Sequence, residues 1–358
     1  MTQASPAQEA LTIGDVRRSA ARGVEGPLRE ALATLGEPLQ RMAEYHFGWT
    51  NTCGTVADSH ERVLRRRPAT IAFLVAGSDP AAWDRVRNVA VANTLMSGGL
   101  CIHDDLVDQD EIRYGRATVW KSFGAPATVR LGDALLALAF HTLNDAPLRT
   151  QTEIRNRMAS CIETACGGQA LERRIECART TTLDEVLATY TGKTSAACYF
   201  FASGALGAGA SAQRVQAAAA LGAAFGMAFE FKNDFEALWV NPRTGFEDAL
   251  SDLRQRKVTA TVAYALHLSG SASAELAEYY NDTVVADTAD LLRIRQLLEQ
   301  CGARAWLEAQ MAECTSAAMR LIPKAASSPH AAHLLESFVL DVCQAENPAL
   351  SMGQTGIP

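Results

Sequence analysis

Apolar positions recur every three or four residues along most of the chain, the spacing that lines one face of an α-helix. Between Pro27 and Phe47 the residues Leu28, Leu32, Leu35, Leu39, Met42 and Tyr45 form such a stripe, with a kink or break expected at Pro38. The same spacing predicts helices over Arg85–Val107, Pro126–Leu143, Ile154–Cys177, Leu183–Gly207, Ala212–Trp239, Thr259–Leu268, Asp290–Cys301, Ala303–Leu321 and Ala331–Ala345. Turn chemistry separates them at Gly77-Ser78-Asp79-Pro80, Arg113-Tyr114-Gly115 and Asn241-Pro242-Arg243-Thr244-Gly245. No alternating pattern predicts a strand hairpin, and there is no short repeat or low-complexity linker. Helices that are apolar on nearly every face belong in the middle of a large bundle. The expectation is one all-α domain over residues 21–346, with a loose arm at 1–20 and a loose tail at 347–358.

Composition supports helix and narrows the partners. The core leans on Ala, Leu and Val, since apolar residues make up 48% and aromatics only 7%. The net charge is 33 − 40 = −7, which argues against a nucleic-acid partner. The longest apolar run, Ala217 to Phe229, covers 13 residues, too few to span a bilayer, so no integral membrane protein is expected. Nine scattered cysteines without C-x-x-C spacing are the usage of reduced thiols in a cytoplasmic protein. Met1 to Ala10 has no apolar core of the kind a signal peptide needs.

The candidate chemistry lies in His103-Asp104-Asp105-Leu106-Val107-Asp108, at the end of an apolar helix. Positions i and i+4 share a helix face, which sets the Asp104 and Asp108 carboxylates roughly 6 Å apart. Carboxylates so placed repel unless a cation lies between them, and magnesium prefers a few carboxylates together with substrate phosphates. The plain alternative is a solvated acidic helix end. The apolar approach weighs against it, because charge at the end of a buried helix needs a partner.

Further motifs follow in order: Arg113-Tyr114-Gly115-Arg116-Ala117-Thr118-Val119, Leu131-Gly132-Asp133-Ala134-Leu135-Leu136-Ala137, Gly168-Gln169, Lys193-Thr194, Phe229-Glu230-Phe231-Lys232-Asn233-Asp234, and Ser251-Asp252-Leu253-Arg254-Gln255-Arg256-Lys257. Taken together over residues 60–260 they resemble the trans-isoprenyl diphosphate synthases. The resemblance implies an all-α isoprenoid synthase-type bundle with a central cavity, two acidic walls and three magnesium ions. It implies that an allylic isoprenyl diphosphate is ionised there, and that the chain forms a homodimer. Carried over position by position, Asp104, Asp105, Asp108, Asn233 and Asp234 would ligate metal. Arg113, Lys193, Thr194 and Lys257 would bind the departing diphosphate.

The departures from the family pattern are equally specific. The family's basic set for isopentenyl diphosphate would fall at Leu64, Arg67, Ser97 and Tyr114, and only Arg67 is still a cation. Each lost charge-assisted contact costs about 1.5–3 kcal/mol, so the site reads as eroded unless Arg65 or Arg66 substitutes. In the second motif Ala237 replaces an aspartate, Asn241 does not restore a cyclase-type metal site, and Glu236 is a neighbouring candidate. Glu230 replaces a glutamine. It could accept a proton or hydrogen bond from a nucleophile, or simply pair with Lys232. Leu100 and Gly99 stand where bulky residues limit product length in the family, and Gly98-Gly99 predicts an open channel for a C15 or C20 tail. The alternative for the glycines is close helix packing.

These features predict a magnesium-dependent prenyltransferase acting on a C15 or C20 allylic diphosphate. With Leu64, Ser97 and Tyr114 neutral, the expected acceptor is an uncharged aromatic molecule such as an indole. The alternatives are chain elongation with isopentenyl diphosphate, a terpene cyclase on the same scaffold, and an inactive subunit of a partner synthase.

Overall fold

The computed structural model describes residues 11–57, 66–77, 79–143, 148–178, 181–239, 250–281 and 286–344. Fifteen helices and one small hairpin occur among them. Helices α1 (Ile13–Ala33), α2 (Leu39–His46), α3 (Arg67–Ala76) and α4 (Pro80–Val107) come first, followed by strands β1 (Ile112–Arg113) and β2 (Arg116–Ala117). Next are α5 (Val119–Phe123), α6 (Ala125–His141), α7 (Leu148–Ala178), α8 (Leu183–Gly207) and α9 (Ala212–Trp239). The chain closes with α10 (Ser251–Arg254), α11 (Ala260–Leu266), α12 (Ser271–Asn281), α13 (Thr288–Gln300), α14 (Ala303–Ala325) and α15 (Pro329–Cys343). The all-α class is as expected. No helix of the described residues is long and apolar enough to cross a membrane.

Four differences from the sequence reading have physical reasons. Helix α1 starts at Ile13, inside the stretch read as a loose arm. Thr12 and Asp15 form a reciprocal capping box, and Val16 and Ala20 are buried. Pro27, read as a helix start, lies inside that helix, and the break falls before Leu39. Helix α3 was missed because Ala69 to Ala76 are all buried, so no polar face marks its period. The hairpin was missed too: its strands are two residues long, and Tyr114-Gly115 turns them with φ of 54° and 77°.

Small residues bring the three central helices close together. A Cβ on Gly192 of α8 would stand 2.6 Å from the Gly168 Cα of α7. On α9, a Cβ on Gly222 would meet the Ala197 carbonyl oxygen at 2.5 Å, and one on Gly226 would meet the Thr194 Cβ at 2.6 Å. Glycine permits backbone approach that any side chain would block. These contacts sit beside Gln169, Lys193 and Glu230, so close packing fixes how far apart those side chains stand.

Candidate active site

Carboxylates and cations from five helices, and from the stretch after the last of them, converge on one site. Asp104 and Asp108 end α4, Gln169 and Glu172 come from α7, Lys193 from α8, and Glu230, Asn233 and Asp234 from α9. Asp252 and Lys257 come from α10 and the residues after it. Gln169 donates 2.9 Å to Asp108 Oδ1, and Lys257 Nζ lies 3.6 Å from Asp108 Oδ2 and 3.9 Å from Asp252. Lys193 Nζ pairs with Glu172 Oε2 at 2.5 Å. On the opposite wall, the Tyr190 hydroxyl donates 2.6 Å to Asp234 Oδ2 and accepts the Ala260 N–H at 3.1 Å. Thr261 adds a longer contact of 3.4 Å to the same carboxylate oxygen.

Burial pushes the carboxyls on both walls upward. Asp104 rises to about 6, Glu230 to about 7 and Asp234 to about 8, each mainly because its ionised form is desolvated. Burial alone would depress Lys193, but the Glu172 and Glu230 carboxylates outweigh it and hold the ammonium charged. Negative charge is therefore costly on both walls until a cation arrives. Among the described residues no three acidic, His or Cys side chains form a ready-made cage. Hard oxygen donors on two walls, interspersed with lysines, fit magnesium shared with a diphosphate better than magnesium caged by protein alone.

A cavity of about 300 Å³, lined by Glu172, Asp234, Asp252 and Lys257, shares Asp108, Lys193, Glu230 and Asn233 with a larger one, which in turn adjoins a smaller one. The larger, about 1580 Å³, runs from Asp104, Asp108, Glu230 and Asn233 past Leu100, Ala196 and Phe200 to Phe338. The smaller, about 100 Å³, lies beside the end of α2 and shares Arg66, Ser97, Cys101, Arg113 and Tyr114 with the larger.

The remaining sequence candidates fall as follows. Asp105 turns away from Asp104 and Asp108 into the smaller cavity, where Arg113 Nε donates to it; burial raises its carboxyl to about 6. Arg113 Nη2 also lies 3.7 Å from Asp110. Thr194 lines the large cavity and donates 3.3 Å to the Thr191 carbonyl, and Arg67 lies 4.5 Å over the Phe229 ring. Lys232 pairs with Glu236 at 2.8 Å, so it is not the partner expected for Glu230. Leu64, Arg65 and Asn241 lie outside the described residues.

Gly98 and Gly99 do not open the tail channel, contrary to expectation. A Cβ on Gly99 would meet the Gly132 carbonyl oxygen at 2.9 Å, and one on Gly98 would meet Phe47 at 3.1 Å. Both glycines serve helix packing, while Leu100 does line the channel. Sequence reasoning also missed Glu172 and Tyr190. Glu172 stands four residues beyond Gly168, one helical turn along the same face, which is the signal that could have found it. Tyr190 had no such signal, because a buried tyrosine in an apolar helix reads as core.

An all-α bundle with two acidic walls facing a deep apolar channel defines a class of enzyme that handles diphosphates bearing long hydrocarbon tails. Residues 61–298 match the sequence model of the polyprenyl synthetase family, and the chain belongs to that family and is a transferase of prenyl groups. It is 32% identical to a geranylgeranyl diphosphate synthase of Mycobacterium tuberculosis over 324 residues, 88% of this chain and 91% of that one. It is 31% identical to a (2E,6E)-farnesyl diphosphate synthase of the same organism over 288 residues, 79% of each chain. Its fold resembles the crystal structure of a polyprenyl synthetase from Streptomyces coelicolor A3(2), with a TM-score of 0.84 at 27% identity, covering 92% of this chain and 99% of that one. These relatives do not support an indole-like acceptor. Their names fit the alternative of chain elongation better.

Proposed function

We propose that the chain extends an allylic isoprenyl diphosphate with isopentenyl diphosphate, giving a product of the farnesyl or geranylgeranyl class. The observation that carries this reading is the pairing of two cavities: an acidic-walled, tail-accepting one for the donor and a basic one for a second anion, joined at Arg113. A neutral aromatic acceptor would leave the basic cavity without a purpose. Magnesium, held by Asp104 and Asp108 on one wall and Asp234 with Asn233 on the other, would supply positive charge to the departing diphosphate. The number of ions and a homodimeric assembly, both implied by family resemblance, are part of the same proposal.

Lys193, Lys257 and Arg113 hold the diphosphate oxygens of the donor as the allylic C–O bond breaks and its electron pair leaves with diphosphate. Donors fixed in advance stabilise that developing charge without reorganising. Phe200, Phe225 and Phe229 line the channel and shield the cation left on the tail from water. The acceptor double bond then forms the new C–C bond, and a proton leaves the acceptor. Glu230, with its pKa near 7, can carry a proton at the junction of the two walls.

The test is incubation of purified protein and magnesium with geranyl or farnesyl diphosphate, with and without isopentenyl diphosphate or indole. A longer diphosphate is expected. A hydrocarbon from donor alone, an indole adduct, or unchanged donor would overturn the reading.

A further inference from the structure

Resting on the elongation reading, we propose that His46, Arg66 and Arg116, together with Arg113, form the cradle for the acceptor's diphosphate. None of the first three occupies a position where the family pattern places its basic set. That set would fall at Leu64, Arg67, Ser97 and Tyr114, and three of the four are neutral here. The chain rebuilds the positive charge from other elements around the same space.

Position 97, one of the places where the family's basic set would fall, is a serine, and position 98 is a glycine. Across from them, the last residue of α2 is His46. Its Nε2 stands 3.3 Å from the point a Cβ on Gly98 would occupy. The missing side chain at 98 leaves room for the His46 imidazole beside the Phe47 ring, which stands 3.1 Å from the same point, and His46 and Ser97 line one cavity.

The two arginines are fixed to the same segment. Arg116 donates to the carbonyls of Tyr45 at 3.3 Å and Thr50 at 2.8 Å, and its guanidinium lies 4.4 Å over the Tyr45 ring. Arg66 donates 3.0 Å to the Phe47 carbonyl and lies 5.2 Å over the Phe47 ring. Residues 45–50 thus hold an imidazole and two guanidiniums around one pocket of about 100 Å³, and Arg113 completes it. The pocket lining carries three guanidiniums and one carboxylate, Asp105. Asp105 and Asp110 pair with Arg113, and Glu25 lies 4.0 Å from Arg66, so part of this charge is already offset; an entering anion would meet the remainder at a part-buried site. Burial and the same three arginines push His46 down to about 3, so its ring is a neutral N–H donor in a positive field. With a single lining carboxylate, the pocket suits a diphosphate taken up without metal. Arg66, Ser97 and Tyr114 also line the larger cavity, so the acceptor's hydrocarbon end opens toward the donor.

The experiment is calorimetric titration of isopentenyl diphosphate in EDTA into wild type, His46→Ala, Ser97→Asp and Arg116→Gln, beside farnesyl diphosphate titrated with magnesium. Wild type should bind the acceptor without metal. Each variant should weaken it about tenfold or more, the effect of losing one charge-assisted hydrogen bond, and the acceptor's loss should exceed the donor's by a similar factor. The double variant His46→Ala/Ser97→His should recover part of the affinity, because it returns an imidazole to the same space. Arg116 also ties the hairpin to residues 45–50, so retained farnesyl diphosphate binding in each variant, and recovery in the His46→Ala/Ser97→His double variant, separate a binding effect from a folding effect. No metal-free binding by wild type, unchanged acceptor affinity in all three variants, or equal losses for donor and acceptor would overturn the cradle. If wild type binds the acceptor through these residues but makes no longer diphosphate, the cradle stands and the elongation reading fails. If it elongates with the acceptor KM unchanged in the variants, the reading stands and the cradle fails.

Discussion

The Tyr190 hydroxyl holds Asp234 at 2.6 Å and is itself held by the Ala260 N–H at 3.1 Å, so one tyrosine couples α8, α9 and α11 at the second acidic wall. Tyr190→Phe removes both bonds. Leaving the Ala260 N–H without its acceptor should cost about 1–3 kcal/mol of stability, read by chemical denaturation. If Tyr190 orients Asp234 toward metal, the same variant should need several-fold more magnesium for half-maximal turnover. An unchanged magnesium requirement would reduce Tyr190 to a structural role.

The raised carboxyls give the metal-free protein a distinctive response to pH. Glu230 at about 7 and Asp234 at about 8 keep protons that their unfolded counterparts release near pH 4. Between those limits the folded chain binds more protons than the unfolded one, so stability falls as pH rises. His46 acts oppositely between about 3 and its ordinary 6.5, because there the unfolded chain binds the extra proton. The unopposed window is therefore about pH 6.5 to 8. In EDTA the unfolding midpoint should drop across it, and magnesium with diphosphate should raise the midpoint more at pH 8 than at pH 6.5. A flat or rising midpoint in EDTA would contradict the assignment.

Lys193 and Glu172 form a part-buried pair at 2.5 Å, with the lysine facing the diphosphate region. Lys193→Met should reduce turnover by roughly 10²–10³-fold, the usual effect of deleting one preorganised charge on a leaving group. It also leaves Glu172 without its cation and should lower stability. Adding Glu172→Gln should recover the stability but not the turnover, a separation that a double-mutant cycle measures. Recovery of both would place Lys193 outside the chemistry.

How much of this was legible depended on whether a feature leaves a local pattern. Helices α8 and α9 came out of the sequence with the bounds found in the structure: both are long apolar stretches, and Thr182 and Ser211 cap their starts. Asp104, Asp108, Lys193 and Asp234 were legible as motif positions. Of the basic cavity, Arg66 was legible as a possible substitute, but His46 and Arg116 were not: they lie far from it in sequence, and the packing of α2 against Gly98 brings the imidazole there. Reading Ser97 and Tyr114 as lost charges was correct residue by residue. It pointed to an uncharged acceptor, which the relatives do not support, whereas the proposed cradle would draw its charge from a different helix.

Product length offers the sharpest separation between channel and packing residues. Phe200 lines the large cavity seven residues beyond Lys193 on the same helix, about two turns or roughly 10 Å deeper than the diphosphate end. Gly99, which the sequence reading placed in the channel, faces the Gly132 carbonyl instead. Phe200→Ala should therefore shift products toward longer chains, measured by chromatography of the dephosphorylated alcohols. Gly99→Ala should leave the product distribution unchanged and cost about 1–3 kcal/mol of stability, the usual penalty for forcing an atom into close-packed backbone. A shorter product from Gly99→Ala, with Phe200→Ala silent, would return the length-setting role to α4 and reverse this assignment.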